Sequence, residues 1–340
     1  MRLSVLCCAI FGSAIVHAQP IDRAALEACA EIEDAAVRLA CFDRLVPQAS
    51  PRGAASRAVD AVLAPESGRE GESLLAERWA IGQSSRDRRF DLREHKASYF
   101  LLGRYSDAPN RSPASPTKPA PAEPLDLQPV EAKFQISFKV KLADFDRLFQ
   151  EIGAHLWLAY TQQSQWQVYN PRISRPFRET NYEPEVIIAA HPDLHVLGWR
   201  WRLAALGFSH HSNGRDNPFS RSWNRLYVMG GFEQGNYGLL ARLWVRLPED
   251  GTKDDNPDIS RYMGYGDVLG AYRYGGHTLS LVARYNPASA KGALQAAWNF
   301  PLQRRVRGYV QAFSGYGESL IDYNVRQNTI GLGISLADAM

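Results

Sequence analysis

Between Ala132 and Leu142 the chain alternates without exception. Ala132, Phe134, Ile136, Phe138, Val140 and Leu142 are apolar, and Lys133, Gln135, Ser137, Lys139 and Lys141 between them are polar. A period of two over that length predicts a β-strand with one oily and one polar face. A soluble sandwich could bury the oily face in its core, whereas a membrane barrel would turn it to lipid and the lysines to the lumen. Further strand-like runs lie near 99–105, 155–168, 179–190, 195–212, 221–233, 236–247, 262–274, 277–286, 293–300, 305–314 and 324–336. With 132–142 they make twelve, and no segment of helical period interrupts them. An even number of strands joined alternately by short turns and longer loops fits a bacterial single-chain barrel. The expected fold is all-β, a twelve-stranded antiparallel up-and-down transmembrane β-barrel preceded by a small N-terminal helical segment. Trp157, Trp166, Trp199, Trp201, Trp223, Trp244 and Trp298 are then expected in aromatic girdles at the membrane interfaces.

The segments outside these strands differ in character. Arg2, the apolar run Leu3 to Val16 and the small residues before Gln19 predict a signal peptide over 1–18. A lipobox at Cys7 or Cys8 is the alternative. Residues 19–48 read as a small helical segment, in which export to an oxidising compartment favours a Cys29–Cys41 disulfide. Residues 49–98 read as linker and periplasmic lead-in to a barrel domain over 99–340. Between 107 and 130 stand seven prolines, at 109, 113, 116, 119, 121, 124 and 129. That density excludes strand and helix and predicts a long mobile loop.

Composition removes some classes. Hydrophobic residues are 45% and charged residues 22%, which is the balance of a folded protein. A net charge of +3 is too small to argue for nucleic acid. No run of about eighteen apolar residues follows the signal segment, so no transmembrane helix is expected.

One hairpin carries candidate chemistry. In Phe208 to Arg225, FSHHSNGRDNPFSRSWNR, turn formers cluster at Asn213-Gly214 and Asp216-Asn217-Pro218. A hairpin centred near Asn217 sets His210 opposite Asn224 and Ser212 opposite Ser222. Side chains directly opposite in a sheet stand about 4.5–5.5 Å apart at Cβ. Ser212 and His210 share a face. Serine as nucleophile, histidine as base and asparagine as orienter could therefore line up. Serine, histidine and asparagine are also ordinary residues at a hairpin end. A metal site on His210 and His211 is a weaker alternative, since neighbours in a strand point to opposite faces.

The stretch HHSNGR (210–215) followed by SRSWNR (220–225) resembles the signature of bacterial outer-membrane phospholipase A. So do PFRETNYEP (176–184), DDNPDI with YMGY (254–265) and SGYGESLIDYN (314–324), in order, over residues from about 130 to the end. The resemblance implies a twelve-stranded barrel, calcium dependence and activation by homodimerisation. By matching position, Ser212 is the nucleophile, His210 the base and Asn224 the orienter, with the N–H groups of Ser212 and Gly214 as oxyanion hole. Calcium would be held by the carbonyl of Arg215, the hydroxyl of Ser220 and the carbonyl of Ser174 of the partner subunit, with Asp255 as a calcium-linked acid. Hard oxygen donors of this kind suit Ca²⁺. Asp216-Asn217-Pro218 departs from the family's Ser-Asp-Pro by shifting an acid one place. The expectation is a calcium-dependent phospholipase A of a Gram-negative outer membrane, acting on sn-1 and sn-2 acyl esters and on lysophospholipids. Its site would lie at the outer rim, facing lipid. Arg178, Glu179, Asn181 and Gly315 to Glu318 are expected to fill the lumen rather than act on substrate. The rival readings are a non-enzymatic outer-membrane pore and an adhesive barrel whose proline loop binds.

Overall fold

The strands close on themselves. The structure, a computed structural model, describes residues 30–32, 34, 41, 73–81, 90, 92–145, 153–251, 253–303 and 306–337. The strands are β1 (Leu92–Glu94), β2 (Ser98–Ser106), β3 (Val130–Asp144), β4 (Ala154–Trp166), β5 (Glu179–Ala190), β6 (Leu194–Val196) and β7 (Trp199–Ser212). They continue with β8 (Ser222–Gln234), β9 (Tyr237–Leu247), β10 (Gly266–Tyr274), β11 (His277–Asn286), β12 (Lys291–Gln303), β13 (Val306–Tyr316) and β14 (Arg326–Ala337). Setting aside the three-residue β1 and β6, twelve long strands pair antiparallel in chain order, and β14 pairs β2 to complete the ring. Closure leaves no long strand with an unpaired edge, which is the condition for a sheet to cross a membrane.

The alternation of β3 sorts as expected. Lys133, Lys139 and Lys141 are fully buried in the lumen while Ile136 faces outward. Along β5 the lumenal residues change from Glu179, Asn181, Glu183 and Glu185 to Ile187 and Ala189, and Val186 and Ile188 point out. Along β5 the lumenal face is thus charged at one end and apolar at the other, although Lys139, Lys141 and Glu233 are also buried towards that second end.

The charged end is held by ion pairs. Glu131 accepts from Arg104 at 2.8 Å and from Arg178 at 2.8 Å. Glu318 pairs with Lys133 at 3.1 Å and with Arg104. Arg178 also reaches Asp322 at 3.3 Å. The lumenal roles expected for Arg178, Glu179, Asn181 and Glu318 therefore match their burial. A polar cavity of about 160 Å³, lined by Lys96, Glu183, Arg225, Arg242 and Glu318 among others, lies within the lumen.

The apolar end holds a feature that the composition of 49–98 concealed. Helix α1 (Leu74–Trp79) packs inside the barrel against β7, β8 and β9. Ser73 caps it through Ala76 N–H, and Glu233 of β8 accepts from Leu75 N–H at 2.5 Å and Ser73 Oγ at 2.6 Å. A carboxylate at a helix N-terminus satisfies orphan donors and complements the dipole. Leu75 and Trp79 are buried, and the Lys139 ammonium lies 3.9 Å from the centre of the Trp79 ring.

Other expectations need correction. Trp157, Trp223 and Trp244 are not girdle residues: they are buried and face the lumen, where Trp157 meets Trp79 edge-on and Arg225 lies over Trp223. Trp298 is exposed, in keeping with the girdle. The run 195–212 is broken by a tight turn at Leu197-Gly198, both with positive φ, so that β6 folds back on β7. The start of the run 262–274 belongs to a short helix, α2 (Ile259–Met263). The proline-rich segment has few regular bonds but specific ones: Arg111 donates to Leu127 O, and Ser115 and Lys118 bridge. The expected signal peptide and Cys29 lie outside the described residues.

Candidate active site

Long loops gather at the charged end: 107–129, 167–178, 213–221, 248–265 and 317–325. The hairpin β7–β8 ends there in the expected register, His210 opposite Asn224 and Ser212 opposite Ser222. Asn213 N–H donates to Arg221 O at 3.0 Å, which makes that couple a hydrogen-bonded pair. Counting back, 212/222 and 210/224 are non-hydrogen-bonded pairs, the kind in which facing side chains come closest. His210 Nδ1 accordingly meets Asn224 Oδ1 at 2.8 Å. An amide oxygen can only accept, so Nδ1 carries the proton and Nε2 presents its lone pair. Ser212 lies two residues further along the same face. Among the described residues its hydroxyl has no hydrogen-bond partner, leaving it able to rotate towards Nε2. Catalytic hydrogen bonds are often long before substrate binds.

This face is the outside of the barrel. Leu206, Phe208, Leu226 and Val228, below the three residues on the same strands, are exposed apolar side chains, while Ser209, Trp223 and Arg225 are buried inward. The candidate set therefore crowns a lipid-facing belt. His211 points inward and accepts from Trp223 Nε1 at 3.2 Å. A metal site on His210 and His211 together is ruled out by their opposite directions.

The loop that follows is stapled by one side chain. Asn213 Oδ1 accepts from Arg221 N–H at 2.9 Å, and Asn213 Nδ2 donates to Phe219 O at 2.8 Å. Gly214 sits at φ +61°, and a Cβ there would lie 3.2 Å from Tyr182 Cε2. Gly214→Ala is expected to lose about 1 kcal/mol of stability from the left-handed backbone alone. Chemical unfolding measures it, and an unchanged midpoint would contradict the assigned conformation.

Of the four expected calcium donors, the structure brings two together. Ser220 Oγ donates to Asp255 Oδ2 at 2.5 Å. Arg215 lies in the same loop, with its guanidinium on Arg178 O at 2.6 Å. Ser174 is in the β4–β5 loop, where its carbonyl accepts from Trp166 Nε1 at 2.6 Å; within one chain it does not join the others. The shifted acid Asp216 is exposed and takes no part. Among the described residues no group of three or more His, Cys, Asp or Glu converges. The donors are hydroxyl, carbonyl and a single carboxylate.

Further residues that spacing did not single out surround the site. Asn256 Oδ1 accepts from Ser222 N–H at 2.9 Å, tying the block 254–259 to β8. Asp254 accepts from Arg246 at 2.7 Å and from Asn256 N–H at 3.0 Å, which shapes that block. Lys118 of the proline segment pairs with Asp255 Oδ1 at 2.9 Å, and Ser115 and Thr117 donate to the carbonyls of Asp255 and Asp254. The segment expected to be mobile is therefore a cap on the candidate cation site. Glu249, after β9, accepts from Asn224 Nδ2 at 3.2 Å. Partial burial, then the neighbouring carboxylates of Asp254 and Asp255, raise the Glu249 carboxyl above its ordinary range, against Arg246 and Asn224. Burial and a hydrogen bond to Asp258 raise the Tyr323 phenol likewise.

The chain has relatives among known proteins over most of its length. The family model described as Phospholipase A1 matches residues 75–336. A putative phospholipase A1 of Neisseria meningitidis serogroup B is 40% identical, over 91% of this chain and 90% of its own length. Phospholipase A1 of Escherichia coli K12 is 38% identical, over 74% of this chain and 83% of its own. Among solved structures, the Salmonella typhi outer membrane phospholipase dimer with bound calcium superposes with a TM-score of 0.65 at 34% identity, over 74% of this chain and 94% of that one. Outer membrane phospholipase A from Escherichia coli also gives 0.65 at 34% identity, over 73% and 95%.

Proposed function

From the premise that this chain belongs to the phospholipase A1 family, we propose that it is a calcium-dependent hydrolase of sn-1 and sn-2 acyl esters, acting through Ser212, His210 and Asn224. It is an outer-membrane β-barrel phospholipase. The observation that carries the finer reading is the 2.8 Å bond from His210 to Asn224 on the outward face that Ser212 shares.

His210 Nε2 takes the Ser212 proton as Oγ attacks the ester carbonyl. The N–H groups of Ser212 and Gly214 receive the oxyanion. The imidazolium then protonates the departing glycerol oxygen, leaving an acyl group on Ser212. Water, deprotonated by His210, releases the fatty acid and restores the serine. Asn224 holds the ring in the tautomer that this sequence needs. The exposed belt of Leu206, Phe208, Leu226 and Val228 would lie along the acyl chains.

The residues present fit calcium. Ser220 Oγ and Asp255 meet, Arg215 O is in the same loop, and a cation, the Lys118 ammonium, already stands on Asp255. Ser174 of the partner subunit would complete the set in a homodimer. Calcium held there would supply positive charge and polarised water beside the oxyanion, which would offset the weaker stabilisation that a neutral orienter gives the imidazolium. An N-terminal signal peptide and a Cys29–Cys41 disulfide accord with export through an oxidising compartment. The pore reading is disfavoured by α1 and the ion pairs that fill the lumen.

Fatty-acid release by detergent-refolded protein tests the metal requirement. Activity is expected to vanish in EDTA and return with calcium; undiminished activity in EDTA would overturn it. Lys118→Ala removes the competing ammonium and is expected to tighten calcium binding about fivefold. Calorimetric titration reads this directly, and weaker or equal binding would contradict competition at Asp255.

A further inference from the structure

The Asn224 amide has two ends, and both are occupied. Its oxygen faces His210 Nδ1 at 2.8 Å, and its nitrogen donates to Glu249 Oε1 at 3.2 Å. An ionised carboxylate accepts and cannot donate. If the amide turned over, its oxygen would face the Glu249 carboxylate and its nitrogen would face a ring N–H. Both contacts would be repulsive. With Glu249 in place, a single amide orientation is compatible with a proton on Nδ1 and a lone pair on Nε2.

We infer that Glu249 is a positioning residue for the hydrolysis, a fourth member behind Ser212, His210 and Asn224 that fixes the Asn224 amide and sets a negative charge behind it. The inference rests on Asn224 acting as the orienter. A neutral asparagine lacks the charge with which a carboxylate stabilises an imidazolium. Glu249 returns part of that charge through the polarised amide, one hydrogen bond removed. Pro248 fixes the backbone just before Glu249, and Glu249 itself is half-buried rather than solvated. The charged groups around it are Asp254, Asp255 and Arg246. Nothing about Glu249 touches the lumenal network, so its replacement should leave the barrel folded.

The test uses the full mature chain, refolded in detergent with saturating calcium, on a micellar lysophospholipid. Glu249→Ala is expected to lower kcat about tenfold with KM within about twofold, the effect of losing one hydrogen bond to a charged group. Glu249→Gln keeps an acceptor but loses the charge, and should fall between. The discriminating arm is the Asn224→Asp background, where two carboxylates would face each other. There Glu249→Gln should raise kcat above that of Asn224→Asp alone, because the new amide donates to the carboxylate now at position 224 and the repulsion is gone. A reversal of sign between the two backgrounds is not produced by a loop that merely packs. Wild-type kcat in Glu249→Ala, or the same sign in both backgrounds, would overturn the inference. If Ser212→Ala is inactive in the same assay while the Glu249 variants are unchanged, only this inference falls. If Ser212→Ala is active, the catalytic assignment itself falls.

Discussion

Ser212→Ala is expected to lower fatty-acid release by at least about a thousandfold while the barrel, its heat resistance on gels and its calcium binding stay as they were. The serine carries no structural bond among the described residues, so its loss removes chemistry and little else. What would remain is the stabilisation offered by oxyanion donors and binding, which in other serine hydrolases leaves a residual of roughly 10³–10⁴ over water. His210→Ala should be of similar size, and the two together should cost hardly more than either one, because nucleophile and base act as a unit. Additive losses would mean that the two residues do not share a step. Initial rates on a single phospholipid substrate, compared at equal folded fraction, decide it.

Glu131→Ala is expected to have the largest effect on stability, about 3 kcal/mol. Glu131 is buried and accepts from Arg104, Arg178 and Gln167 in the charged half of the lumen. Its removal takes the carboxylate that the two guanidinium groups share, leaving Arg104 with Glu318 and Gln327 and Arg178 with Asp322 and Gln165. A buried charge that loses its partner is penalised far more than a surface pair, which contributes about 0–1 kcal/mol. Urea unfolding in detergent, followed by tryptophan fluorescence, gives the midpoint and slope. A change below about 0.5 kcal/mol would show that water in the lumen solvates the arginines as well as Glu131 does.

Much of this arrangement was legible in the sequence because a barrel strand states its own faces. The alternation of 132–142 placed Lys133, Lys139 and Lys141 inside, and the turn residues around Asn217 gave the pairing of His210 with Asn224. What failed shares a cause. Alternation tells which side chains share a face, but an aromatic residue on the lumenal face looks like a girdle residue until its cross-strand neighbour is known. Trp157 lies opposite Lys141, and that pairing, not its type, sends it inward. Helix α1 spans six residues, too short for a period to show, and it follows a stretch whose Ala, Ser, Gly and Arg read as linker. The prolines of 107–129 exclude regular structure, yet Ser115, Thr117 and Lys118 between them fasten the segment to Asp254 and Asp255, and that contact is made at a sequence distance of about 140 residues. Glu249 was invisible for the same reason: a glutamate after a proline in a loop has no meaning until Asn224 is beside it.

A covalent probe reads the Ser212 nucleophile directly. An active-site sulfonyl fluoride carrying an acyl-like chain should be incubated with calcium-loaded protein and the adduct located by peptide mass spectrometry. Stoichiometric labelling at Ser212 is expected, with loss of hydrolysis in step with labelling and no labelling of His210→Ala. Inactivation with the label on any other residue, or full activity after complete modification of Ser212, would contradict it.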